Sequence, residues 1–140
     1  MTRIRNQRGA ALIETAITIP MVLLVSVAIF EFGRAYQTWQ VLTNAAREGA
    51  RVSILSNSTD QDVTDAVHNY LVAGQIPGGA AVPVVLERNV ALGTTTASRI
   101  TVNYPFDFMV IGPVARLVRG DSELGGALTL SAAALMRNEG

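Results

Sequence analysis

The chain has 140 residues, enough for one modest domain, and it is neutral overall, with 11 basic and 11 acidic residues. No surplus of positive charge exists to grip phosphates, which argues against nucleic-acid binding. Cysteine is absent, which removes disulfides, thiolate metal sites and a cysteine nucleophile; His68 is the single histidine around which a histidine-rich metal site or a Ser-His-Asp triad would have to be built.

Residues 1–9 carry Arg3, Arg5 and Arg8 and no acid, and the remainder is mildly acidic. From Thr15 to Phe30 the stretch "TAITIPMVLLVSVAIF" holds no charge, and adding "AALIE" carries the run back to Ala10. A bilayer core needs roughly 20 helical residues, so Ala10–Phe30 has the length of a membrane span. Three arginines precede the run, whereas Glu31 and Arg34 cancel just after it; the positive-inside rule therefore predicts a cytoplasmic N-terminus. Phe30, Phe32, Tyr36 and Trp39 cluster at the far end, where amphipathic rings favour the interface. Everything after about Arg34 is expected outside the cytoplasm. Two simpler readings compete: a signal peptide cleaved after Ala28, where "VSVA" resembles a small-residue site, and an unprocessed signal anchor.

Neither simpler reading explains Glu14. A charge within a span costs about 3 kcal/mol even on insertion scales, and such residues usually have a partner. Arg8 is six residues back and poorly placed on a helix. A cut after Gly9 would give Ala10 a free α-amine, with an ordinary pKa of about 8. That amine would lie one helical turn from Glu14, reinforced by the positive end of the helix dipole. The same amine could instead meet Glu14 of a neighbouring chain, which would make the pair an assembly contact. Glycine before the cut suits a protease that must approach the backbone closely.

Nothing after Phe30 stops the helical pattern before the "SNST" cluster at 56–59. Phe32, Tyr36, Trp39, Thr43, Ala46 and Ala50 recur at helical spacing, so a helix over residues 10–55 is predicted, too long for the membrane alone. Its outer half must lie on a folded domain or on other subunits. Pro20 is read either as a tolerated kink in a lipid-exposed helix or as a loosening that lets the subunit leave the bilayer. "AAREGAR" puts Arg47 and Arg51 one turn apart beside Glu48. This is either a solvated face with local ion pairs, or close packing through Ala46, Gly49 and Ala50 with Arg47 or Arg51 reaching a partner.

A short basic leader ending in glycine, four apolar residues, a glutamate and an apolar helix together resemble the type III signal of type IV pilins and pseudopilins. In particular, Arg8–Arg51 resembles the TadE-like proteins of tight-adherence (Tad/Flp) pilus systems. Four shared elements stand in order: "RGxxxxE" at Gly9–Glu14, the proline at Pro20, "EFGR" at Glu31–Arg34 and "AAREGAR" at Ala45–Arg51. The resemblance covers about a third of the chain. It implies cleavage between Gly9 and Ala10 by a prepilin peptidase, then assembly with other pilin or pseudopilin subunits and the inner-membrane assembly platform. Major Flp pilins carry tyrosine after the glutamate, whereas Thr15 stands here, which points to a minor pseudopilin.

The outer residues change character. "STDQDVTDAVHNYLVAGQIP" reads as a second helix, capped by Ser58 with Gln61 as its reciprocal partner. Val63, Ala66, Val67, Tyr70 and Leu71 mark its apolar face, and His68 beside that face reads as structural or surface. Asp60, Asp62 and Asp65 lack the spacing of a calcium loop and suit a helix N-terminus instead. Beyond Gly79 the period becomes two: "AVPVVLERNVAL", "SRITVNYPF" and "ALTLSAAALM" read as strands, with Pro83 and Pro105 at edges or ends. The intervening "DFMVIGPVARLVRGDSELGG" reads as a connection with one turn of helix. The expected fold is α+β: a pilin-like transmembrane helix, then a small head with a second helix and a three- to four-stranded antiparallel sheet. The expected divisions are a basic leader at 1–9, a long helix at 10–55 crossing the membrane at about 10–30, and an extracytoplasmic head at 56–140.

Three functions follow. The first is a minor pseudopilin or pilus-assembly protein in the bacterial inner membrane, with no catalysis of its own, passing into a surface pilus or staying in the membrane. The second is a membrane-anchored adhesin or binding module that is not processed. The third, a small periplasmic enzyme, is opposed by the single histidine, the missing cysteine and the lack of a G-x-S-x-G or paired-carboxylate motif. No cofactor, metal or small-molecule substrate is expected.

Overall fold

The computed structural model describes residues 3–119 and 127–138. Met1 and Thr2 of the basic leader, residues 120–126 of the connection and the last two residues lie outside them. Three helices, α1 (Arg3–Ser53), α2 (Asp60–Ala73) and α3 (Ile111–Arg119), accompany three strands, β1 (Val84–Leu92), β2 (Thr95–Phe106) and β3 (Leu128–Arg137). The fold is α+β, a long N-terminal apolar helix with a second helix and an antiparallel sheet in the order β1-β2-β3. Among the described residues the sheet has three strands, and the four-stranded alternative falls away.

Contacts divide the chain into two compact units. One holds α1 as far as Arg34 together with the chain from Phe108 through α3. The other runs from Ala35 to Asp107 and includes β3.

In the second unit, the later part of α1, α2 and the sheet share one core. Leu42, Ala45, Ala46 and Ala50 of α1 meet Val63, Val67 and Leu71 of α2, with Ile100 and Val102 beneath. Alanines at 45, 46 and 50 keep α1 thin on this face, so its backbone approaches closely. Gly49 takes that approach furthest: a Cβ there would lie 2.5 Å from Val67 Cγ2 and 3.3 Å from Ile100 Cγ2. Each fully buried Leu, Val or Ile contributes about 1.5–3 kcal/mol of transfer free energy to this core.

Turn chemistry sets the strand register. β1 and β2 join through Gly93 and Thr94, since Leu92 pairs with Thr95. Gly93 has φ +62°, the left-handed value that a type II′ hairpin needs at its first central residue. The β1–β2 ladder shifts between Glu87 and Val90, a bulge at which Asn89 adopts φ 59°. Pro105 lies in the central strand, but past Val102, where β1 pairing ends; its missing N–H therefore removes no bond to β1. Pro83 directly precedes β1, so both prolines occupy strand ends.

Three expectations need correction. The first helix ends at Ser53 rather than about Leu55, where the Ser53 hydroxyl donates to the Ala50 carbonyl and Leu55 begins a turn with its N–H on Val52. The α2 cap is Thr59 with Asp62, not Ser58 with Gln61. Thr59 has extended backbone and closes a reciprocal capping box, while the Ser58 hydroxyl donates to the Ser53 carbonyl. Both pairs stand three residues apart, so spacing alone does not separate them. The connection after β2 carries a nine-residue helix, α3, rather than one turn. Pro113 stands in its first turn, where proline is tolerated because its absent N–H would have no partner.

Candidate functional site

The sequence elements of interest lie along α1. Gly9 and Ala10 fall inside the helix, not at its start, and both are exposed. Open space surrounds Gly9 where a Cβ would stand. Glu14, one turn beyond Ala10, is exposed and has no ion-pair partner among the described residues.

Every residue from Gly9 to Ser26 is exposed, including Leu12, Ile17, Leu23 and Leu24. In water that surface would be strongly unfavourable; it is long and apolar enough to cross a bilayer. Its hydroxyls are satisfied internally, as lipid demands: Thr15 Oγ1 donates to Ala11 O at 2.8 Å, Thr18 to Glu14 O at 2.7 Å and Ser26 to Val22 O at 2.8 Å. Helix α1 continues through Pro20, whose nitrogen cannot donate to the Ala16 carbonyl one turn back.

Glu31 marks the end of this surface. It is buried, accepts the Val110 N–H at 2.6 Å and pairs with Arg34 at 3.0 Å. The Met109 and Ile111 N–H groups also point at its carboxylate. These three amides open α3 and have no partner within that helix. Glu31 thus supplies, from α1, the acceptor that the start of α3 lacks, and the positive end of the α3 dipole favours its charge. Phe32 and Phe108 stack edge to face beside it at 6.1 Å. Its composition reads as plain charge cancellation with Arg34; the link to residue 110 spans 79 positions and has no local signal.

Between the residue 23–28 turn of α1 and residues 110–115 lies a groove of about 490 Å³, walled only by apolar side chains such as Leu24, Val27, Val114 and Ala115.

At the end of α1, Arg51 forms a bidentate pair with Glu48, Nη2 to Oε1 at 2.6 Å and Nε to Oε2 at 3.0 Å. Arg47 reaches Asn44 Oδ1 at 3.5 Å, and Gly49 faces α2 and β2 of its own chain. Another arginine, unremarked in sequence, ties this region together. Arg88, turned by the β1 bulge, donates to Asp60 Oδ1 at 2.8 Å, Ser53 O at 3.0 Å and Ser58 O at 3.1 Å. It therefore binds a C-terminal carbonyl of α1, the following loop and the first turn of α2. Among the aromatics of α1, Trp39 gives its indole N–H to Ser131 O of β3 at 3.3 Å, and the Tyr36 hydroxyl accepts from Gln40 at 2.6 Å.

His68 Nε2 lies 3.0 Å from the Val82 carbonyl oxygen. A carbonyl only accepts, so that nitrogen carries the proton and the ring fastens α2 to the chain before β1. Among the described residues no group of His, Asp and Glu side chains is placed to hold a metal ion.

Among the described residues one exposed helix is long and apolar enough to cross a membrane, with one acid near its start, and the chain continues into a small α+β unit, features that suggest a membrane anchor. Residues 9–51 match the family model of the TadE-like proteins, consistent with a TadE-like protein. The matched segment holds Gly9, Glu14, Pro20, Glu31 and Gly49. The chain matches no curated protein and no solved structure.

Proposed function

We propose that this chain is a minor pseudopilin or pilus-assembly protein of a Tad-type type IV pilus, anchored in the inner membrane with its N-terminus cytoplasmic and its head outside. A prepilin peptidase cuts between Gly9 and Ala10. The new Ala10 amine then neutralises Glu14, in the same chain or in a neighbouring pilin subunit, and the subunit assembles through its apolar helix. The protein acts as a substrate and a structural part, not as an enzyme.

The observation that carries this reading is an exposed Glu14, without an ion-pair partner among the described residues, one turn from Ala10 on an exposed apolar helix within the segment that matches the TadE-like family model. Gly9 supports the cut in a second way. Glycine is about 1 kcal/mol worse than alanine inside a helix, so the backbone opens there more readily for the extended conformation a protease needs.

The test is Glu14→Ala in the native host. Membrane insertion should be retained, because a charge leaves the span, while pilus number and co-purification with pilin subunits fall. A mutant with normal pili and normal subunit association would show that Glu14 is not an assembly contact.

A further inference from the structure

The groove beside α3 asks for an occupant. It lies on the second half of the α1 span, within about 10 Å of Phe30 along the helix axis. If residues 10–30 cross the membrane, the groove opens at the depth of the extracytoplasmic leaflet, where water is scarce and acyl chains are abundant. Its volume of about 490 Å³ falls in the range of small-ligand pockets.

Two features of α3 are compatible with the same level. First, its apolar surface continues past the groove, where Leu117 is 87% exposed. In its sequence Arg116 and Arg119 stand one turn apart with no acid, the composition of helices that lie at anionic headgroups. Second, the irregular backbone leading into α3 is satisfied by a buried carboxylate. Amides near lipid must be satisfied by protein, and Glu31 does this for residues 109–111.

From this geometry we propose that the groove between α1 and α3 holds an acyl chain of an extracytoplasmic-leaflet phospholipid, with α3 lying in the membrane interface and Glu31 as the residue that positions it. The inference rests on the membrane reading of α1. It adds a lipid-binding role for a segment outside the matched residues 9–51.

The full chain, reconstituted in vesicles of phosphatidylethanolamine and phosphatidylglycerol doped with a phosphatidylglycerol bearing a diazirine on its acyl chain, tests this by photolabelling and peptide mapping. Adducts are expected on residues 110–115 as well as on the span. Val114→Trp should cut the α3 adducts several-fold while leaving those at Val22 and Ile29, across the helix from the groove. A nitroxide on Leu117→Cys, clean because the chain has no other cysteine, should be relaxed by oxygen more than by a water-soluble nickel chelate. Labelling of the span with none on α3, or a Leu117 label open to the chelate, would overturn the proposal and leave the membrane reading intact. Disulfide-linked dimers of Val114→Cys in place of lipid adducts would overturn it in favour of a second copy. Failure to label the span at all would sink the membrane reading itself.

Discussion

Gly49 decides how closely α1 meets the head. Its missing side chain lets Val67 and Ile100 approach to distances that no Cβ tolerates without movement. Gly49→Val should therefore destabilise the head by about 1–3 kcal/mol, the usual penalty for overpacking, read as a lower urea midpoint in the detergent-solubilised protein. Arg88 is the complementary case, a polar clamp on three acceptors. Arg88→Ala should cost about 1–2 kcal/mol, carried mainly by the stranded Ser53 and Ser58 carbonyls, because the Asp60 pair is largely exposed and screened. The two residues were not equally legible. The small-residue pattern around Gly49 repeats at helical spacing and is visible in one line of sequence. Arg88 acquires its role from a bulge and from partners about 30 residues away, which no periodicity encodes.

Helix caps and hairpin turns connect local chemistry to the elements. Donation from the Thr59 N–H, then from its hydroxyl, holds the Asp62 carboxyl below the usual carboxylate range. A depressed folded-state pKa means that the stabilisation is present above the unfolded value, near 4, and is lost as pH falls through the lower native value. The stability gap between the wild-type chain and Asp62→Asn should thus be widest near neutral pH and close on acidification, measured by paired urea titrations. Thr59→Ala should cost about 1 kcal/mol at neutral pH. For α3 the cap comes from another element. Glu31→Ala should raise amide hydrogen exchange over residues 111–117 and leave α2 protected; unchanged exchange in α3 would contradict the role assigned to the carboxylate. Strands β1, β2 and β3 were legible because alternation and turn residues are local signals. Helix α3 was not, since glycine and proline at 112 and 113 mimic a break, and its acceptor sits far back on α1.

At the scale of the whole molecule, sequence and structure agree on a long apolar helix, a second helix and an antiparallel sheet, because length and hydrophobic period fix each of these. The functional reading depends on a smaller set of residues, Gly9, Ala10 and Glu14, whose meaning lies in what happens to the chain after synthesis. A folded chain displays an exposed acid; it does not display the amine that a cut would create beside it. The mass of the mature N-terminus in protein purified from native membranes or pili is the most direct measurement. A polypeptide beginning at Ala10 is predicted. A working protein that retains Arg3, Arg5 and Arg8, or one that begins near Ile29, would contradict the account.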